Sequence, residues 1–202
     1  MSPDAVERSW GRTAAVVLAA GGSTRLVRPK PLLAFRGQPL VRYGVDAALG
    51  AGLNPVVVVT GHAAAEVRQA LEGTPVRFVD NPRWKDGQSA SLRMGLAAVR
   101  AGTEAVVFLL ADMPFVSSAT VGRLVERHSE TLGSIVAPAG GGRRGNPVLF
   151  DRRTFGALES LTGDTGGRAV FDRFEVQEVP TDVQELMDVD DPGDVDRLRS
   201  ME

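Results

Sequence analysis

Short apolar runs alternate along the chain with stretches whose apolar residues recur at helical spacing. Residues 14–18 form a buried strand that breaks at Gly21-Gly22. Leu40, Tyr43, Ala47 and Ala48 then mark one face of a helix ended by Gly50 and Gly52. The β-branched run 56–59 predicts a central strand covered on both faces, ending at Thr60-Gly61-His62. An alanine-rich helix to about Leu71 and a strand over 76–79 follow, the latter giving onto Asp80-Asn81-Pro82. A helix over 89–100, a strand over 105–110, a helix over 118–127 and a short strand over 135–137 continue the alternation. The rest is less regular. A basic turn (140–144), an apolar segment (146–150) and a glycine-rich loop (162–168) precede a strand over 176–179 and a closing helix. The pattern predicts an α/β fold with a mostly parallel central sheet and right-handed crossovers.

In such sheets ligands bind beyond the carboxyl ends of the strands. Gly21, Gly61, Asn81 and Asp112 all fall just past strand ends and should converge on one cleft. The first is the richest in chemistry. Gly21 and Gly22 let the backbone approach a ligand closely, and the loop N–H groups with Ser23 and Thr24 can cradle anionic oxygens. Arg25, Arg28 and Lys30 then sit where a polyphosphate would lie. Neither a P-loop nor G-x-G-x-x-G is present. A solvated basic loop would account for the cations, but not for their place straight after a buried strand and a glycine pair.

Asp112 follows an apolar strand, where a carboxylate is costly unless paired or bound to a cation. A single strand-end Asp suits Mg²⁺, which takes one or two carboxylates plus waters and phosphate oxygens; capping a turn or the next helix is the alternative. Ser89 and Ser91 stand near a helix N-terminus, where they bind a phosphate or base or simply cap. Trp84 either stacks on a ring or packs on its neighbours.

Composition narrows the classes. With 202 residues the expectation is one domain, with residues 1–12 as a polar lead-in. A net charge of −2 gives no reason to expect nucleic acid. The absence of cysteine excludes disulfides and thiolate chemistry. No apolar run reaches membrane-span length and no signal-peptide core is evident, so a cytoplasmic location is expected and no membrane partner. His62 and His128 read as surface or structural residues, with no histidine cluster for zinc and no Ser-His-Asp order.

Four blocks carry a resemblance. They are Ala19-Ala20-Gly21-x-Ser23-x-Arg25 followed at a distance by Lys30; NPRWxxGQSASLRxGL from Asn81; LLADMP around Asp112; and the Gly163-Asp164-x-Gly166-Gly167-Arg168 loop. In this order they resemble the MobA-like nucleotidyltransferases, most of all the molybdenum cofactor cytidylyltransferases. That pattern has glycine where Val27 stands and often histidine where Asn146 stands. The resemblance implies a three-layer Rossmann-like nucleotidyltransferase fold. It also implies transfer of a nucleoside monophosphate, CMP from CTP, to a phosphorylated acceptor such as molybdopterin, with release of pyrophosphate. Mg²⁺ is the implied cofactor, held by Asp112 and Asp190, with Asp188 as the fallback and Asp191 as the helix cap.

Arg25, Lys30 and Asp112 are the implied catalytic residues. Leu18, Ala19, Ala20, Gly21, Gly22, Ser23, Arg25, Lys30, Gly61, Asn81, Gly87, Ser89, Ser91 and Asp112 are the implied nucleotide contacts. Arg144, Asn146, Asp164, Gly167 and Arg168 would take the acceptor, and a molybdoenzyme would receive the product. Two rivals come with the resemblance: an NAD(P)H-dependent nicotine-blue-type reductase, and a non-catalytic chaperone for nucleotide or cofactor.

Overall fold

The computed structural model describes residues 12–22 and 28–201. It opens with β1 (Thr13–Ala19), a hairpin of β2 (Ala34–Phe35) and β3 (Gln38–Pro39), α1 (Leu40–Gly50) and β4 (Val56–Thr60). Next come α2 (Ala64–Ala70), β5 (Arg77–Asp80), α3 (Gln88–Val99), β6 (Ala105–Leu110) and α4 (Ser118–Thr131). The chain closes with β7 (Ile135–Gly140), β8 (Arg143–Arg144), β9 (Val148–Asp151), α5 (Phe155–Glu159), β10 (Val176–Pro180) and α6 (Pro192–Arg199).

The main sheet has the order β10-β7-β9-β6-β1-β4-β5, with β8 paired to β7. β6, β1, β4 and β5 run parallel, and so do β7 and β10. β9 is antiparallel to both β6 and β7 and lies between them. It is the apolar segment 146–150 of the sequence. Its direction follows from its connection, because a few residues after β7 permit a hairpin return but no crossover.

Alternate residues of the central strands feed opposite cores, as a period of two requires. Val17, Val58 and Leu109 meet α1 and α4, whereas Val16, Val59 and Phe108 meet α3 and α5. Taking each such side chain out of water contributes about 1.5–3 kcal/mol, which fixes the register of the strands and so the alignment of their ends. A third small core joins Phe35, Leu40, Val189 and Leu198, with Tyr43 and Phe115 against it. It fastens the chain before α6 to the neighbourhood of the β6 end.

At the opposite end of the sheet, Asp151 pairs in register with Ala105, the first residue of β6. His128 Nε2 lies 2.9 Å from Asp151 Oδ2, and the Arg153 N–H and guanidinium both donate to Oδ1. Burial works to raise the Asp151 pKa, but the donors from Arg153 and His128 outweigh it and hold the carboxyl below the ordinary range. His128 is thus a strut between α4 and β9, as its structural reading expected.

Candidate functional site at the carboxyl ends of the parallel strands

β1, β4, β5 and β6 finish at one edge, with Ala19 opposite Thr60, Thr60 opposite Asp80 and Leu18 opposite Leu110. The outgoing loops are tied together there. The N–H of His62 donates to the Ala20 carbonyl (3.2 Å), that of Asn81 to Thr60 (2.8 Å) and that of Ala111 to Leu18 (3.2 Å). A cavity of about 820 Å³ opens beyond this edge, within the range of small-molecule clefts.

The acidic end of the cavity is built by two segments far apart in sequence. Asp112 leaves β6, and its carbonyl accepts from the N–H of Val189 (3.0 Å). Val189 is buried in the third core, so its neighbours Asp188 and Asp190 both reach the cavity lining. Asp191 takes the cap of α6 in a capping box with Asp194, which leaves the Asp190 carboxylate available. Lys30 bonds to Asp190 Oδ1 and stands 3.6 Å from Asp112 Oδ2. Asp112 Oδ1 is buried without a hydrogen-bond partner among the described residues. Burial pushes the Asp112 carboxyl up to about 6 against the pull of Lys30, and the charges of Asp188 and Asp190 add to the rise.

Leaving a buried acceptor unsatisfied costs about 1–3 kcal/mol. A buried, unbonded carboxylate oxygen can accept a cation, and with Asp190 beside it the donor set fits a divalent one. Four aspartates and two lysines line the cavity among the described residues, so an anionic ligand entering it needs positive charge brought along. Among the described residues no three carboxylate or imidazole groups converge closely enough to hold a metal unaided. Two carboxylates completed by phosphate oxygens and water are the donor set that Mg²⁺ prefers.

The opposite wall is formed by close backbone approach. A Cβ at Gly22 would come within 2.5 Å of the Trp84 ring, and one at Gly61 would meet Trp84 Cβ at 2.8 Å and the Ala20 carbonyl at 2.7 Å. Trp84 therefore packs across both glycine turns, with the His62 ring 5.0 Å away, which is the packed reading of this residue. Gly61→Ala is expected to cost about 1–3 kcal/mol, as overpacking does, and to lower the urea midpoint; an unchanged midpoint would show that the turns are free to separate.

Beyond Trp84, Gly87 has a φ of +98° and faces the Gly163–Asp164 backbone so closely that a Cβ would meet it at 2.4 Å. The N–H and hydroxyl of Ser89 both donate to the Gly163 carbonyl (3.2 and 2.8 Å), and the Gln88 N–H donates to Asp164 Oδ1 (3.3 Å). The glycine-rich loop 162–168 thus closes over the start of α3. Asn81, itself buried, donates to Ser91 Oγ (3.0 Å), which leaves the Ser91 hydroxyl proton to point elsewhere.

Of the residues singled out from the sequence, Leu18, Ala20, Gly21, Gly22, Lys30, Trp84, Gly87, Ser91, Asp112, Asp164, Asp188 and Asp190 line the cavity. Ala19, Asn81 and Ser89 are buried behind it, and Gly61 stands under Trp84. Arg144 is exposed on β8 and pairs with Glu178 (2.7 Å). Asn146 precedes β9, Gly167 packs against Phe150, and Arg168 is exposed; none of these four lines the cavity. Ser23, Arg25 and Val27 lie outside the described residues. Lys85, Gln88 and Pro31 also line the cavity. Each adjoins a residue already singled out, and adjacency was the one sequence signal available for them.

A family model, the MobA-like NTP transferase domain, matches residues 15–179. The nicotine blue oxidoreductase of Paenarthrobacter nicotinovorans is 37% identical over 161 residues, 76% of this chain and 78% of that protein. Rv0371c from Mycobacterium tuberculosis H37Rv superposes with a TM-score of 0.80 at 34% identity, covering 94% of this chain and 98% of that one. Its complex with manganese gives 0.79 at 33% identity, over 95% and 100%. A nucleotidyl transferase from Methanothermobacter thermautotroptrophicus gives 0.81 at 29% identity, over 94% and 97%. By the extent of the match, the chain belongs to the family of MobA-like NTP transferase domains.

Proposed function

We propose that this nucleotidyltransferase moves CMP from CTP to a phosphorylated small molecule of the molybdopterin class, and that its divalent cofactor is Mg²⁺. The observation that carries the reading is the buried, unbonded Asp112 oxygen beside Asp190 and Lys30, one strand away from the Gly21–Gly22 turn. That arrangement calls for a cation together with an anion, which a metal–triphosphate provides. A manganese complex of the related Rv0371c supports a divalent ion in the family.

In the reaction an oxygen of the acceptor phosphate attacks the α-phosphorus of CTP. The new P–O bond forms as the bond to the β-phosphate bridging oxygen breaks, and pyrophosphate leaves with that electron pair. A phosphate monoester is nucleophilic near neutral pH, so no side chain need remove a proton. Asp112 and Asp190 would hold the metal, which when bound supplies charge neutralisation at the transferring phosphoryl group. Gly21 and Gly22 offer backbone donors to the phosphates. Lys30 and Arg25 stabilise the departing pyrophosphate, and Ser91 orients the nucleoside at the start of α3. The residues act by positioning and electrostatics.

The relative named nicotine blue oxidoreductase favours a second reading, hydride transfer from NAD(P)H. Its weakness is that reduced nicotinamide dinucleotide brings anions and no cation to the acidic end. A thermal-shift panel of CTP, GTP, ATP, UTP and NADPH, each with and without Mg²⁺, separates the two. CTP at about a hundred times its Kd should stabilise by about 2.7 kcal/mol, or about 5–10 °C in a chain of this size, and only with Mg²⁺. Stabilisation by NADPH without metal, and none by any nucleotide, would favour the reductase.

A further inference from the structure

Lys30 is usually read as a phosphate ligand in a loop of this kind, yet in this chain its ammonium rests on the carboxylates. It bonds to Asp190 Oδ1 and stands 3.6 Å from Asp112 Oδ2, with its side chain only 18% exposed. The backbone keeps its base in place: Lys30 begins a short 3₁₀ turn (Lys30–Leu32) in which Pro31 is buried and the Leu33 N–H returns to the Lys30 carbonyl. The movable part is the four-carbon stem, which carries a compact point charge with three donors. That charge stands against the same two side chains to which the metal has been assigned above.

An ammonium and a divalent ion repel at such separations, so each weakens the other's hold on Asp112 and Asp190. We propose that the Lys30 ammonium competes with the divalent metal for the Asp112–Asp190 pair and yields it when a ligand phosphate draws the lysine stem away. This rests on the metal reading of that pair. Lys30 would then have two successive partners, the carboxylates before the nucleotide arrives and the phosphates afterwards. Metal and nucleotide bind with positive coupling as a result, and by linkage each tightens the other by the same factor.

The test uses Mn²⁺ alone, titrated into the full chain and followed by the electron paramagnetic resonance of the free ion. The proteins are wild type, Lys30→Met, Lys85→Met and Asp112→Asn. Lys30→Met should bind Mn²⁺ about tenfold tighter than wild type or better, since it removes a unit charge in direct contact with the ligands. Lys85→Met removes the same charge from the same cavity, but from an ammonium lying over the Trp84 ring, 5.4 Å from its centroid. It should gain far less. Asp112→Asn should lose Mn²⁺ binding. A Mn²⁺-induced rise in melting temperature larger for Lys30→Met than for wild type gives the same answer should the variant be less stable.

Equal Mn²⁺ affinity in wild type and Lys30→Met, or an equal gain in Lys85→Met, would overturn the competition. Provided Asp112→Asn still abolishes binding, the metal reading would survive that result. Wild-type Mn²⁺ affinity in Asp112→Asn would remove both together.

Discussion

Asp112→Ala is expected to release pyrophosphate from CTP and acceptor about a thousandfold more slowly than wild type, while remaining folded. Loss of charge stabilisation worth several kcal/mol at the phosphoryl group corresponds to that factor. The isosteric Asp112→Asn should show a similar loss together with a gain that a purely structural residue would not give. The folded carboxyl ionises at about 6 against an ordinary 3.8. The unfolded chain therefore gives up this proton first as pH rises. Stability associated with the protonated group is complete below about 3.8, declines between there and 6, and is gone above. Asn cannot ionise, so at pH 7.5 the ligand-free variant should be more stable than wild type by as much as about 3 kcal/mol. Near pH 4 the difference should vanish. Urea denaturation at the two pH values checks this, and a variant less stable than wild type at pH 7.5 would contradict the buried-charge account. The same protonation opposes metal binding, so the affinity of the ligand-free protein for Mg²⁺ should weaken as the pH drops below about 6.

Lys30→Ala is expected to lower kcat by about 10²–10³-fold, the cost of deleting one preorganised donor to developing charge. Lys30→Arg should restore it only in part, because the guanidinium pairs well with carboxylate and phosphate but is larger and fixed in its donor directions where a compact ammonium now sits. Without Lys30, Asp112, Asp188 and Asp190 repel one another, and no other cation among the described residues pairs with them. The ligand-free variant should then be less stable by about 1–3 kcal/mol, and Mg²⁺ should recover part of that. A single-turnover assay separates chemistry from binding. A Lys30→Ala enzyme with normal kcat and only a raised KM would show that the lysine binds ground state and transition state equally. Turnover should thus fall in the variant whose metal affinity rises, and a general loss of structure would not produce that pairing.

Much of this site was legible because it depends on strand ends. An apolar run that stops at a glycine or an aspartate announces both the strand and the residue exposed at its tip. Gly21, Gly61, Asn81 and Asp112 were placed on one edge by that logic alone, and the register puts them there. The cluster 188–191 was legible in part. Several aspartates before a helix imply a cap, and Asp191 holds it. Which neighbour turns inward depends on Val189 being buried, a tertiary fact. The bond from Lys30 to Asp190 spans 160 positions, and no local pattern encodes a partner so distant. Ser89 has the composition of a ligand contact, but the loop 162–168 reaches the start of α3 and takes its donors. The direction of β9 was hidden for a related reason: an apolar pentapeptide reads alike both ways, and only the short connection from β7 fixes it.

The antiparallel β9 also divides the sheet into two banks. To one side stand four parallel strands carrying the Gly21 turn and Asp112; to the other, β7 and β10 carry the turn at 140–146. The distal turn nevertheless reaches the acidic end, because Gly140 and Gly145 lie against Leu186, two residues before Asp188. A side chain added at Gly145 would come within 2.5 Å of Leu186, so a change in one bank is felt at Asp188 and Asp190, which close the cavity of the other.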